Sequence, residues 1–163
     1  MRTLIVAEFM SLDGVIQAPG GPDEDPRGGF RFGGWQVPYA DEAIGQAVMD
    51  LFSRPFELLL GRRTYDIWAA YWPRVGADAP GHPIAGPFNR VPKHVATHRP
   101  DTLGWQNSHA LNGDLADAVV VDGADPAHAD AFEGSLHAQV ALVLAVLRRR
   151  GQLLGAGGGA VAV

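Results

Sequence analysis

Blocks of apolar residues separated by polar or glycine-rich stretches predict a chain of strands and helices. Thr3 to Phe9 is rich in apolar and β-favouring residues and meets the turn-forming cluster Ser11-Leu12-Asp13-Gly14, which predicts an N-terminal strand buried in a sheet. Val15 and Ile16 then resume an extended run. The pattern stops at Ala18 to Gly34, APGGPDEDPRGGFRFGG, whose prolines and glycines disfavour regular structure and whose charges hold it at the surface. Long ordered loops of this kind are often functional lids. This one closes on Gly33-Gly34-Trp35, an aromatic placed either to fold over a ligand or simply to dock on the core.

Asp41 to Ser53 carries the clearest helical period: Ile44, Ala47, Val48, Leu51 and Phe52 share one face, and Asp41 and Glu42 sit in the first turn. The helix has to end near Arg54-Pro55, because the residue before a proline is pushed out of the α region. Phe56 to Leu60 is too short for a typical helix and too apolar for a surface loop, so it predicts a buried strand, parallel or central in its sheet. Gly61 breaks it, and a helix follows with Ile67, Trp68 and Tyr71 facing inward until Pro73 ends it. Arg74 to Pro92 is a second proline- and glycine-rich connection, and Lys93 to His98, KHVATH, predicts a short strand closing in a Thr-His-Arg-Pro turn.

Beyond this point the pattern weakens. Asn112 to Val121 has the form of a short helix capped by Asn112 or Asp114. Leu136 to Leu147, LHAQVALVLAVL, is apolar nearly all round and predicts a buried helix, with Arg148 to Arg150 favourably placed at its C-terminus. At about a dozen residues it is short of the roughly 20 that a membrane-spanning helix needs. The tail GQLLGAGGGAVAV adds a cluster of glycines after two leucines.

Composition changes the picture only by exclusion. With 163 residues, 47% hydrophobic and 19% charged, the chain has room for one soluble domain with a real core. A formal charge of -5 argues against a general nucleic-acid or membrane-surface binder, so any anion site must be local. No cysteine is present, which removes disulfides, thiolate nucleophiles and cysteine-ligated metals and fits the cytoplasm. The opening MRTLIVAEFM is too short and too interrupted by Glu8 for a signal peptide. His94 and His98 have H-x-x-x-H spacing, but in a strand that spacing holds two imidazoles too far apart for one metal, and no metal site is expected.

Two clusters suggest anion binding. Gly61, Arg62, Arg63 and Thr64 fall at the start of a helix, where backbone N–H groups lack partners and the macrodipole is positive. Basic side chains are unfavourable there unless a phosphate or similar anion joins them; the alternative is that the arginines are solvated, or paired with Glu57 or Asp66. Thr97, His98 and Arg99 form a second such cluster at a strand end, although His98 alone also reads as a surface histidine.

Taken together, SLDGVIQAPGGPDED after the first strand, GGW before the first helix, LLLGRRTYDIWAAYWP and PKHVATH resemble, in order, the dihydrofolate-reductase-like proteins that include the C-terminal reductase domain of the bifunctional riboflavin-biosynthesis enzyme. By these motifs the resemblance covers residues 1–122, leaving 123–163 as a divergent C-terminal segment with an apolar helix and a Gly-rich tail. It implies an α/β fold, a three-layer α/β/α arrangement around a central mixed sheet with its C-terminal part divergent or truncated. It also implies NADPH across the strand ends: phosphates at Gly61, Arg62, Arg63 and Thr64, the adenosine side at Thr97, His98 and Arg99, and nicotinamide and substrate against Asp13 to Gln17. Within that last segment Val15 and Ile16 face the cofactor, and Gln17, with Trp35, the substrate. Reduction of a C=N or C=O bond needs a proton as well as a hydride, and Asp13 and Asp41 are the carboxylates placed for it. Asp41 also reads as an N-terminal helix carboxylate. The implied activity is that of a 5-amino-6-(5-phosphoribosylamino)uracil reductase or a related reductase acting on a heterocyclic small molecule, in a cytoplasmic homodimer. The rival reading is a truncated or degenerate, non-catalytic domain that binds nucleotide weakly or acts only as an oligomer.

Overall fold

A computed structural model describes residues 2–76, 83–111 and 144–149. Five strands, β1 (Arg2–Ala7), β2 (Glu57–Gly61), β3 (Lys93–Ala96), β4 (Ser108–Ala110) and β5 (Leu144–Arg149), form one sheet in the order β1-β5-β2-β3-β4. Strand β5 runs antiparallel to both β1 and β2, and β2, β3 and β4 are parallel to one another. The sheet is therefore mixed, and β1, β2, β3 and β4 all point the same way. Among the described residues three α-helices accompany it: α1 (Glu42–Leu51), α2 (Arg62–Tyr71) and α3 (Ala85–Arg90).

The core follows from the apolar run around β2. Leu58, Leu59 and Leu60 are all buried, as a strand covered on both faces requires. Leu58, Leu60 and Val95 share one face by strand alternation and pack with Phe56, Tyr65, Trp68, Phe88 and Trp105. Aromatic rings dominate this cluster: Trp68 stacks on Phe88 with centroids 5.0 Å apart, and Phe52 meets Phe88 edge to face at 4.9 Å. All three helices reach it, α1 through Leu51, α2 through Tyr65 and Trp68, α3 through Phe88.

Several expectations are corrected. Leu144 to Arg149 is not the C-terminal end of a helix but strand β5, filling the space between β1 and β2. An apolar run without periodicity suits a strand buried on both faces as well as a buried helix, and only the two waiting strand edges decide between them. The remainder of the Leu136 to Leu147 run, the Asn112 to Val121 helix and the glycine tail lie outside the described residues. Tyr71 does not face inward; it is 44% exposed at the end of α2, where Thr64, Tyr65 and Trp68 take the buried face. The Arg74 to Pro92 connection contains α3, whose Pro87 lies in the first turn, where a missing N–H costs no hydrogen bond. Val15 and Ile16 join no strand. Helix α1 begins as its period predicts, but its apolar face is only half-buried.

Candidate functional site

The register of the sheet lines up the ends of the co-directional strands. Ala7, Leu144, Leu60, Val95 and Ala110 form one transverse row. One residue past that row the chain reaches Glu8 after β1, Gly61 in β2 and Ala96 in β3. The three segments singled out by sequence, Asp13 to Gln17, Gly61 to Thr64 and Thr97 to Arg99, therefore all leave the same edge of the sheet. In open α/β sheets ligands bind outside the carboxyl ends of the strands.

After β2, Gly61 is the N-cap of α2 and provides no side-chain cap; the first turn holds no acidic residue. Backbone N–H groups at such a terminus, with the positive end of the helix dipole, favour an anion. The two arginines that follow have separate roles. Arg62 donates through Nε to Asp66 Oδ1 at 2.9 Å and through Nη1 to Thr102 Oγ1 at 2.6 Å, the carbonyl of Arg99 at 3.1 Å and Thr97 Oγ1 at 3.3 Å. It is committed to tying α2 to the segment after β3, and its Asp66 pairing is one of the alternatives the sequence left open. Arg63 has no hydrogen bond or ion pair among the described residues. With Thr64 it lines a small cavity of about 10 Å³ together with Ile16, Gln17, Ala18, Glu24, Asp25 and Ile67. That volume holds about one water; what it establishes is that the segment after β1 lies against the start of α2. Thr64 itself is fully buried.

After β3, Thr97 Oγ1 accepts from Arg62 Nη1 and from the backbone N–H of Arg99 at 3.0 Å, which leaves its own O–H free to donate. Arg99 is 62% exposed and reaches Asp66 only at 3.4 Å. His98 is exposed beside it. His94 lies within β3 with Nε2 2.7 Å from Glu57 Oε2, so the two histidines have separate surroundings. Among the described residues no group of three or more His, Cys, Asp or Glu is placed to hold a metal ion.

After β1, Ser11 Oγ donates to Asp13 Oδ1 at 2.5 Å and accepts from the N–H of Val15, closing a turn with Gly14 at φ 87°. That hydroxyl holds the exposed Asp13 carboxyl below its ordinary value. Gln17 Nε2 donates to the carbonyls of Asp25 and Arg27, and Trp35 Nε1 donates to the carbonyl of Gln17 at 2.9 Å. Both side chains pin the 18–34 loop to the strand end. Gly33 lets that loop close: a Cβ there would lie 2.4 Å from the Pro22 carbonyl oxygen. Asp41 is the N-cap of α1, accepting from the N–H of Ile44 at 2.8 Å, as its helix-terminus reading anticipates.

Two ionisable groups escaped the sequence reading. Lys93 is fully buried under the face of Trp105, 4.3 Å from the ring centroid, and its Nζ donates to the carbonyls of Asn89, Val91 and Gln106. Burial pushes it down to about 8. Both Glu8 oxygens are buried without a hydrogen-bond partner among the described residues, and burial pushes this carboxyl up to about 8. Its signal in the sequence was an isolated acid at the end of an otherwise apolar strand.

Fold and site define an α/β domain with a candidate ligand edge along the carboxyl ends of four co-directional strands. The chain belongs to the RibD C-terminal domain family, whose model matches residues 2–162. This is the reductase-domain family of riboflavin biosynthesis, within the dihydrofolate-reductase-like superfamily. The match runs well past Asp122, where the sequence motifs end. No curated protein matches the chain. Among the described residues no helix is long and apolar enough to cross a membrane.

Proposed function

We propose that this chain is an NADPH-dependent reductase of the riboflavin-biosynthesis type, with 5-amino-6-(5-phosphoribosylamino)uracil as its candidate substrate, acting as a cytoplasmic homodimer. The observation that carries the reading is the start of α2: an uncapped, acid-free helix terminus with Arg63 unpaired among the described residues, on the same sheet edge as Thr97 and Arg99. This donor set fits a dinucleotide. Backbone N–H groups and Arg63 would hold the pyrophosphate, and the free Thr97 O–H with Arg99 would hold the phosphorylated adenosine side. Arg62 acts through the others by fixing the two turns relative to one another.

When bound, the nucleotide supplies a hydride. The chain's own part is to fix the acceptor beside it in a dry site, a task in which phosphate contacts set register and side chains do little chemistry. Val15, Ile16 and Gln17 would border that position, with the loop held over it by Trp35. A degenerate, non-catalytic domain is disfavoured by the family match through residue 162 and by the central place of β5. The test is a fluorescence titration with NADPH. Saturable binding by the wild type that weakens in Arg63→Ala is the expected result; a folded wild type that does not bind removes the reading.

A further inference from the structure

The geometry points to Glu8 as the proton donor of this site: a carboxyl at the end of β1, level with Gly61, that protonates the substrate heteroatom as its C=N or C=O bond is reduced. This inference rests on the reductase reading above. The family resemblance points to Asp13 and Asp41 as carboxylic acids for this step. Asp13 is exposed, with its carboxyl held below its ordinary value by the Ser11 hydroxyl. Asp41 is exposed and occupied in capping α1. The surroundings of Asp13 favour its charged form, which has no proton to give.

Glu8 has the opposite surroundings. Both of its oxygens are shielded from solvent and neither has a hydrogen-bond partner among the described residues. An ionised carboxylate is very costly in such a place, so the group stays neutral, and burial is the cause of its shift to about 8. A neutral carboxyl left unsatisfied still carries a desolvation cost, which a ligand heteroatom would relieve by accepting its O–H. Among the described residues no hydrogen bond has to break for the side chain to turn toward that ligand. The charged groups described on this edge do not offset it: Asp13 and Arg99 are exposed, Arg62 is tied to Asp66 and Thr102, and Arg63 lines the cavity beside Gln17.

The step balances simply. The substrate carbon accepts a hydride, whose two electrons come from a reduced pyridine nucleotide that leaves oxidised. The π pair of the C=N bond moves to nitrogen, nitrogen takes the Glu8 proton, and the carboxylate left behind regains a proton from water. A group with a pKa near the working pH is suited to this exchange.

The experiment combines three readouts on the full chain. Five glutamates make selective 13C labelling of the carboxyls resolvable. One carboxyl, missing from Glu8→Gln, is expected to stay protonated at pH 7 and titrate near 8. NADPH fluorescence titration is expected to give the same affinity, within about twofold, for Glu8→Gln and wild type. With 5-amino-6-(5-phosphoribosylamino)uracil, kcat of the variant is expected to drop about 10²- to 10⁴-fold with KM little changed, and the wild-type alkaline limb near pH 8 to disappear. Glu8→Asp is expected to recover part of kcat, which a purely structural loss would not allow. A Glu8 carboxyl that titrates in the ordinary range, or a Glu8→Gln variant with wild-type kcat, overturns the donor role alone. Wild-type protein that binds NADPH but leaves this uracil unreduced overturns the substrate reading and the donor role with it. If Glu8→Gln fails to fold, the wild-type carboxyl titration and the Glu8→Asp kinetics decide the question.

Discussion

Arg62 Nη1 donates to Thr102 Oγ1 at 2.6 Å, joining residues 40 apart in sequence and locking the start of α2 to the segment after β3. Its neighbour Arg63 takes part in no such contact among the described residues. Adjacent arginines thus differ: Arg62 holds the scaffold, and Arg63 makes no such contact among the described residues.

Single substitutions should separate them. Arg63→Ala is expected to weaken NADPH binding by about 10- to 100-fold, the worth of one charge-assisted hydrogen bond, with no change in thermal midpoint. Arg62→Ala is expected to lower the midpoint and to weaken binding as a consequence. Paired fluorescence titrations and melts check this; equal effects of both variants on both measurements would contradict the division.

Glu8 and Lys93 make stability depend on pH in opposite windows. Glu8 is raised from 4.5 to about 8 on folding, so the folded state binds its proton more tightly. Its contribution is full below about pH 4.5 and is lost as pH rises toward 8. Lys93 is lowered from 10.5 to about 8, so the folded state binds that proton less tightly, and stability recovers as pH rises from about 8 toward 10.5. From these two groups a stability minimum is expected near pH 8. Denaturant unfolding between pH 5 and 10 should show it, and Glu8→Gln should flatten the acid side only.

Lys93→Met removes the donor to three carbonyls, those of Asn89, Val91 and Gln106. The expected cost is about 2–4 kcal/mol, that of leaving buried acceptors unsatisfied, along with loss of the alkaline recovery. Unfolding curves at pH 7 and 10 measure both effects, and a variant as stable as wild type would show that the carbonyls find other donors.

Gly33→Ala places a Cβ against two backbone carbonyls, at 2.4 Å from Pro22 and 2.7 Å from Gly21. The loop has to shift, at an expected cost of about 1–3 kcal/mol, and the Trp35 hydrogen bond to Gln17 should loosen with it. A lower melting midpoint together with a changed tryptophan emission is the expected signature.

The local pattern was enough to find β1, α1, β2, α2 and β3, because each carries an apolar run or a period ended by glycine or proline. It also placed Gly61 at a helix start and Asp41 at a cap, since both are decided within a few residues. The division between Arg62 and Arg63 was not legible: side by side, they differ only in what lies opposite, and Thr97, Arg99 and Thr102 are brought there by the sheet. That Gln17 and Trp35 hold the 18–34 loop through hydrogen bonds was likewise not legible, since the carbonyls of Asp25, Arg27 and Gln17 meet these side chains only once the loop is closed.

By itself the sequence determined an α/β chain with its basic clusters at strand ends, since periodicity and turn chemistry are short-range properties. Tertiary structure decided that Leu144 to Arg149 pairs between β1 and β2, because an aperiodic apolar run takes its conformation from the partners available to it. It also decided which charges stay charged. Glu8 and Lys93 are ordinary ionisable residues in the sequence, and only burial, a property of the whole fold, sets their affinity for a proton.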